Sequence, residues 1–197
     1  MTNIDEIVIR AAKPQLKEGL VYAELLNETS EGFFKSMLGK EVYRIIADAY
    51  VNPNNEYSFE NIAFAEYQNE ICGMVAGYTT SEKRRFHKKI DRNRRTLLFT
   101  VVSNFLSRFL GPKGTDEYYL QAIIVDKKMR GKGVGEILMK YIEEKAVEKG
   151  AKTLSLDVSG KNDKARTLYK RQGMIIDSLW PNIPLLPHIF VRMIKKL

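Results

Sequence analysis

Apolar positions along the 197-residue chain change their period several times, and each change marks an element. Ile7–Arg10 is a short apolar run that predicts a first strand. Pro14 then stands where the first turn of a helix accommodates it, and Leu16, Leu20, Ala23 and Leu26 follow at helical spacing. Glu41–Tyr50 repeats that spacing with Val42, Ile45, Ile46 and Ala49, until Pro53, Asn54 and Asn55 break it. Ile62–Tyr67 and Ile71–Tyr78 flank Gln68–Glu70 and predict an antiparallel hairpin. From Glu82 to Leu110 the pattern is helical again. Leu97, Leu98, Val101, Val102, Phe105, Leu106 and Phe109 recur in pairs four apart and form one apolar stripe. Gly111, Pro112 and Gly114 end it.

The remainder alternates strand and helix. Tyr118–Val125 reads as a strand, and Val134–Lys149 as a helix with Val134, Ile137, Leu138, Tyr141 and Ile142 on one face and Gly150 as its stop. Thr153–Val158 is a strand, Asp163–Gln172 a helix and Met174–Leu179 a strand. The proline-rich stretch Pro181–Pro187 leads to a last strand, Phe190–Ile194. Strand–helix–strand order predicts that Tyr118–Val125 and Thr153–Val158 pair in parallel through a right-handed crossover. The expected class is therefore layered α/β: a mixed, mostly antiparallel sheet with a central parallel pair, flanked by helices. The length suits one domain over residues 1–197, with a helical basic insertion at about 82–111.

Composition narrows the chemistry. One cysteine, Cys72, excludes an internal disulfide framework, and two histidines leave no Cys/His zinc spacing, so no metal is expected. Asp5 and Glu6 stand where a signal peptide is basic and then apolar. Ser103, Asn104, Ser107 and Arg108 interrupt the most apolar stretch, so it does not predict a membrane span. A cytoplasmic, soluble protein is expected, as monomer or homodimer. Of the formal net charge of +8, seven charges come from Lys83–Arg95, where eight Lys and Arg face only Asp91. A nearly neutral domain thus carries one basic segment. It reads as a solvated helix face, as a field that steers an anionic substrate, or as a dock for nucleic acid. Phe86 is its only aromatic residue, which weakens single-strand recognition.

The turn Arg130-Gly131-Lys132-Gly133-Val134-Gly135 lies between a strand and a helix. Helix starts present amides without intrahelical partners, and glycines let the backbone approach an anion such as a pyrophosphate. Arg130 and Lys132 add positive charge. A tight glycine turn with two solvated basic residues would look the same. A P-loop fails, because Lys132 is followed by Gly133 rather than Ser or Thr. A dinucleotide turn, with Asp157 as its ribose acid, fits poorly: Glu136 stands where the third glycine belongs, and the turn follows Asp126–Met129 rather than the strand directly.

Val125–Gly135 resembles the cofactor signature of the GNAT acetyltransferases, Arg/Gln-x-x-Gly-x-Gly/Ala after a strand. Asn162-x-x-Ala165-x-x-Leu168-Tyr169-x-x-x-Gly173 is similar to the same family's second signature, with Met174 where Phe is commoner. The two span less than a third of the chain. The resemblance implies acetyl-CoA as co-substrate. It places the pyrophosphate on the amides of Arg130, Gly131, Lys132, Gly133, Val134 and Gly135, and the pantetheine arm along Gln121, Ile123, Ile124 and Val125. It gives Asn162 a hydrogen bond to the cofactor and points Tyr169 toward its sulfur. Glu117 lies where some relatives place a general base, although such a residue is more often solvated.

The implied reaction is acetyl transfer to a primary amine by direct attack. An oxyanion donor from the strand and a phenol as acid suit that chemistry. Cys72, beside Gly73 in an apolar strand, reads as a core residue rather than a nucleophile. Tyr169 packed in an amphipathic helix and Asn162 as an N-cap are the bland alternatives. Two other classes stay open: an idle acetyl-CoA-binding regulatory module, and a nucleic-acid-binding protein using the basic segment. The acceptor's class is not legible.

Overall fold

The computed structural model describes residues 6–30, 32–86, 110–180 and 189–197. Its elements are β1 (Val8–Ala11), α1 (Leu16–Thr29), α2 (Phe33–Leu38), α3 (Val42–Tyr50), β2 (Ile62–Tyr67), β3 (Glu70–Thr79), α4 (Thr80–Arg85), β4 (Glu117–Val125), α5 (Val134–Glu148), β5 (Thr153–Ser159), α6 (Asp163–Arg171), β6 (Ile175–Trp180) and β7 (Phe190–Lys196). The strands form one seven-stranded sheet in the order β1-β2-β3-β4-β5-β7-β6. Every neighbouring pair is antiparallel except the central pair β4–β5, which is parallel as its crossover helix α5 demands.

Each half of the sheet is covered from a different side. Val134, Leu138, Met139, Ile142 and Ala146 of α5 pack on Leu120, Leu154, Leu156 and Met193. On the opposite face α1 and α3 bring Tyr22, Ala23, Leu26, Ile46 and Tyr50 against Phe64, Met74, Ala122 and Ile124. Leu138 is fully buried, so its truncation to Ala costs about 2–5 kcal/mol. The β2–β3 hairpin turns through Gln68 and Asn69, both at positive φ, the geometry whose twist matches the flanking strands.

Three local expectations change. Pro14 lies outside α1, ahead of its N-cap Gln15, rather than in the first turn. The six-residue α2, set between Gly32 and Gly39, is too short to show a period. Of the helix expected over Glu82–Leu110, only the start lies among the described residues: α4 begins earlier, at Thr80, and ends at Arg85. A capping box opens it: Thr79 accepts from the Glu82 amide, and the Glu82 carboxylate accepts from the Thr79 amide. Phe86 is extended and sets its ring edge-on to Tyr78 at 5.0 Å, which ends the helix. Lys83 turns inward, donating from Nζ to the Leu110 carbonyl at 3.4 Å. It therefore does not belong to a solvated basic face. The rest of the basic run and the apolar stripe, residues 87–109, lie outside the described residues, as does the proline-rich stretch. Among the described residues no helix is long and apolar enough to cross a membrane.

Candidate active site

The central pair is a fork. β4 and β5 are in register only over Glu117 with Thr153, Tyr118 with Leu154 and Tyr119 with Ser155. Beyond that, Leu120–Val125 have no strand partner on this side among the described residues, and Leu156–Ser159 pair only with β7. A β-bulge is the cause. Ala76 of β3 faces Ala122 and Gly77 faces Leu120, so Gln121 is an extra residue and β4 bends away. Gly77 permits this, since a Cβ there would lie 2.6 Å from the Tyr118 ring and 2.7 Å from the Tyr119 carbonyl oxygen. The Tyr118 hydroxyl donates to the Gly77 carbonyl at 2.9 Å and holds the corner.

The open edge of β4 has a defined polarity. The Asp126 amide donates to the Cys72 carbonyl at 2.8 Å. Alternation along the ladder then turns the polar groups of Ile124 toward β3 and those of Ile123 and Val125 toward the fork. Consistent with this, the Val125 carbonyl accepts from Arg130 Nε at 2.9 Å rather than from β3.

Beyond β4 the chain makes the glycine turn. Gly131 and Gly133 have φ of 76° and 82°, a region side chains rarely adopt, and a Cβ on Gly131 would meet nothing within 4 Å. The first intrahelical bonds of α5 run from the Glu136 and Ile137 amides to the Gly133 carbonyl. The Val134 and Gly135 amides are left without an acceptor among the described residues, at the positive end of the helix dipole. A Cβ on Gly135 would lie 3.8 Å from both Leu168 and Val125 side chains. The two sequence motifs, far apart in the chain, therefore meet at the end of β4.

The side chains around the turn are more engaged than expected. Arg130 also pairs with Glu28 of α1 at 2.8 Å, and Lys127 approaches the same carboxylate at 3.7 Å. Both pairs are substantially exposed and are exchangeable at low cost. Lys132 Nζ lies 3.7 Å from the Met129 sulfur. Asn162 is the N-cap of α6, its Oδ1 accepting from the Ala165 amide at 3.0 Å, and its side-chain NH2 has no partner among the described residues. Tyr169 is buried in the core with Val134 and Met129. Burial pushes its phenol up to about 12, and its hydroxyl has no partner among the described residues.

Glu117 is not solvated. It is buried, and both carboxylate oxygens are occupied: Oε1 accepts from the Ser155 hydroxyl and from Arg192, and Oε2 from the Lys113 and Gly114 amides at 3.0 and 2.6 Å. Such a carboxylate anchors the loop before β4 to β5 and β7. Asp157, on β5, shares Arg192 at 3.4 Å and accepts from the Gly111 amide at only 3.3 Å. Burial raises its carboxyl above the ordinary range, outweighing Arg192, the Gly111 amide and the Tyr119 phenol. It sits where the fork opens, two positions along β5 past Ser155, the last residue paired with β4.

Sequence reasoning gave Asp157 only to the rejected dinucleotide turn and passed over Arg192. The available signal was a charge in an otherwise apolar-alternating inner strand, Leu154-Ser155-Leu156-Asp157-Val158. The family resemblance placed Gln121 along the pantetheine arm and gave Tyr22 no role. Each has a buried side-chain oxygen without a hydrogen-bond partner among the described residues.

The Acetyltransferase (GNAT) family profile matches residues 22–174. No curated protein sequence matches the chain. Among solved structures, an N-acetyltransferase from Staphylococcus aureus Mu50 superposes with a TM-score of 0.71 at 20% identity, covering 95% of this chain and 100% of that one. A crystal structure described as an acetyltransferase gives 0.67 at 23% identity, with 96% and 98% covered. A chain of the NatC complex bound to Gag peptide and CoA gives 0.57 at 13% identity, with 98% and 99% covered. These likenesses concern the fold, and the profile spans both motifs and the fork between them. The chain belongs to the GNAT acetyltransferase family.

Proposed function

We propose that the protein is an acetyl-CoA-dependent N-acetyltransferase acting on a primary amine by direct attack. The observation that carries this is the β4 edge, unpaired among the described residues, leading into a glycine turn whose Val134 and Gly135 amides have no acceptor among them. The residues present suit the co-substrate: Ile123 and Val125 offer strand-like pairing to an amide-bearing pantetheine arm. The Val134 and Gly135 amides and the open space over Gly131 suit a pyrophosphate. Asn162 has its side-chain NH2 to give. Arg130 contributes through its backbone, and through its guanidinium once Glu28 is exchanged for phosphate.

Acetyl-CoA supplies an activated acyl group on a thiol leaving group. The chain's own residues manage protons and charge around it. An ammonium must lose a proton before its nitrogen can attack, and Asp157 takes it; its raised affinity for protons suits the role better than an ordinary carboxylate would. The C–N bond forms while an amide on the open edge of β4 donates to the carbonyl oxygen. As the C–S bond breaks, Tyr169 gives its proton to the departing sulfur, and the nitrogen's second proton restores the phenol. One proton leaves to solvent from Asp157, so the reaction balances. Glu117 receives no proton-transfer role, because both its oxygens are held.

The test is a calorimetric titration with acetyl-CoA together with thiol release over a panel of amines. Binding followed by amine-dependent thiol release is expected. Binding with no release for any amine would identify an acetyl-CoA-binding module instead, and absence of binding would remove the cofactor assignment.

A further inference from the structure

Arg192, on β7, is buried, and its guanidinium is divided among three carboxylates. Nη2 pairs with Glu117. Nη1 donates to the Gly111 carbonyl at 2.9 Å and reaches Asp157 Oδ2 only at 3.4 Å. Nε lies 3.8 Å from Asp177 on β6. A guanidinium is shaped to close on one carboxylate through two parallel N–H bonds, and here Asp157 receives one long bond instead. Glu117 is the fixed point. The Ser155 hydroxyl and the Lys113 and Gly114 amides hold its carboxylate, so Arg192 is drawn to an acceptor that does not move toward Asp157.

The other groups facing Asp157 bind it weakly. The Gly111 amide donates at 3.3 Å, and the Tyr119 phenol of β4 donates as well. Lys113, before β4, acts on it through space, as does Lys83 of α4, which also lies in the field of Glu56. Tyr78 of β3 faces it as a neutral phenol. Burial outweighs these attractions, and the carboxyl stays above its ordinary range. A guanidinium closed on Asp157 would reverse that balance, because an adjacent opposite charge lowers a carboxyl by about one to three pH units.

We propose that Glu117 is a positioning residue for the reaction: by engaging Arg192 it keeps the guanidinium from closing on Asp157, and so leaves Asp157 able to take the proton of the attacking ammonium. This rests on the reading of Asp157 as the base. Glu117 itself touches neither substrate nor proton. It acts at one remove, through where Arg192 points.

Carbon-13 titration of the Asp157 carboxyl by NMR, on protein without acetyl-CoA or amine, measures this directly. Glu117→Gln should lower the Asp157 midpoint by about one pH unit or more. Glu117→Asp keeps the charge but is one methylene shorter, so it should lower the midpoint by less, and it serves where Glu117→Gln does not fold. Arg192→Gln should raise the midpoint, and Glu117→Gln added to Arg192→Gln should leave it there. A midpoint unmoved in the Glu117 variants overturns the proposal. So does a lowering that persists without Arg192, since Glu117 would then act by its own charge. Thiol release from acetyl-CoA with the amine panel is the second readout: the acidic limb of kcat/KM should follow the midpoint in each variant. A limb that stays while the midpoint moves removes Asp157 as the base, and the role of Glu117 with it. Absence of thiol release with every amine removes the transferase reading, whereas an unmoved midpoint removes only the role of Glu117.

Discussion

The two sides of the β4–β5 fork are built from different materials. Toward α5 the polar groups are mostly backbone: the edge of β4 and the amides at the start of α5, framed by glycines at φ values that side-chain residues rarely adopt. Toward α1 they are side chains from separate elements: Tyr22 from α1, Tyr78 from β3, Tyr119 from β4 and Asp157 from β5. A backbone site is generic and keeps its geometry as long as the turn folds. A side-chain site is adjustable one residue at a time. On the proposed acetyltransferase reading, one fold then holds a constant co-substrate on one side and a variable acceptor on the other.

The same contrast appears in miniature at Arg192, which serves two carboxylates unequally. Glu117 has four donors, whereas Asp157 has the Tyr119 phenol and two long contacts, the Gly111 amide at 3.3 Å and Arg192 at 3.4 Å. Replacing each by its amide should break the pair apart. Asp157→Asn should lower kcat/KM by about a hundredfold or more, the scale of acid–base assistance, while acetyl-CoA affinity and fold persist. Glu117→Gln should instead destabilise the protein by about 3–5 kcal/mol, because it leaves Arg192 buried with a weakened partner. Denaturant midpoints and steady-state kinetics on both variants check this. Equal losses of stability from the two would erase the distinction.

Tyr169 tests the cofactor side. Tyr169→Phe should lower kcat by about a hundredfold with acetyl-CoA binding nearly intact. Unaltered turnover would mean that another group protonates the thiolate, and loss of fold would leave the tyrosine a packing residue. Gly133→Val is a smaller perturbation and a composite one. It brings a β-branched side chain to a φ of 82° as well as to the phosphate turn, so both strain and obstruction act. Acetyl-CoA affinity should fall about tenfold or more, read by calorimetry on protein whose circular dichroism is unchanged.

Legibility in the sequence follows the same division. The parallel pair, its crossover helix and the glycine turn are legible because each is a contiguous stretch with its own period or spacing, and Asn162–Gly173 likewise. The bulge is not legible: it is a mismatch between Gly77 and Gln121, defined only once β3 and β4 pair. Asp157 and Glu117 look alike along the chain, as single acids in β-patterned runs. What separates them is the number of donors that the loop before β4 and the strand β7 bring to each. Lys83 shows the same limit, since composition places it in a basic run whereas packing turns it toward Leu110.

The smallest expected effect compares Asp157 with a carboxylate in the other layer. Burial pushes Glu18 up, but the Lys13 amide, Arg10 and the Tyr50 hydroxyl together pull it below its ordinary value. Those bonds measure 2.8, 3.0 and 3.0 Å. A lowered carboxyl contributes stability that is present above its unfolded value, about 4.3, and is lost as pH falls through the folded value. Asp157 has the opposite sign. Its raised carboxyl binds its proton more tightly in the folded state, so its contribution is fully present below the unfolded value, about 3.9, and is lost as pH rises through the folded one. Urea unfolding at a series of pH values should therefore give two slopes. The stability difference between wild type and Glu18→Gln should grow as pH rises from 3 to 6, whereas that between wild type and Asp157→Asn should shrink. The kinetic counterpart is an acidic limb in the kcat/KM profile that lies above the ordinary aspartate range and disappears in Asp157→Asn. Parallel slopes would place both carboxylates in the same class, a satisfied structural acid, and would leave the acceptor side of the fork without its base.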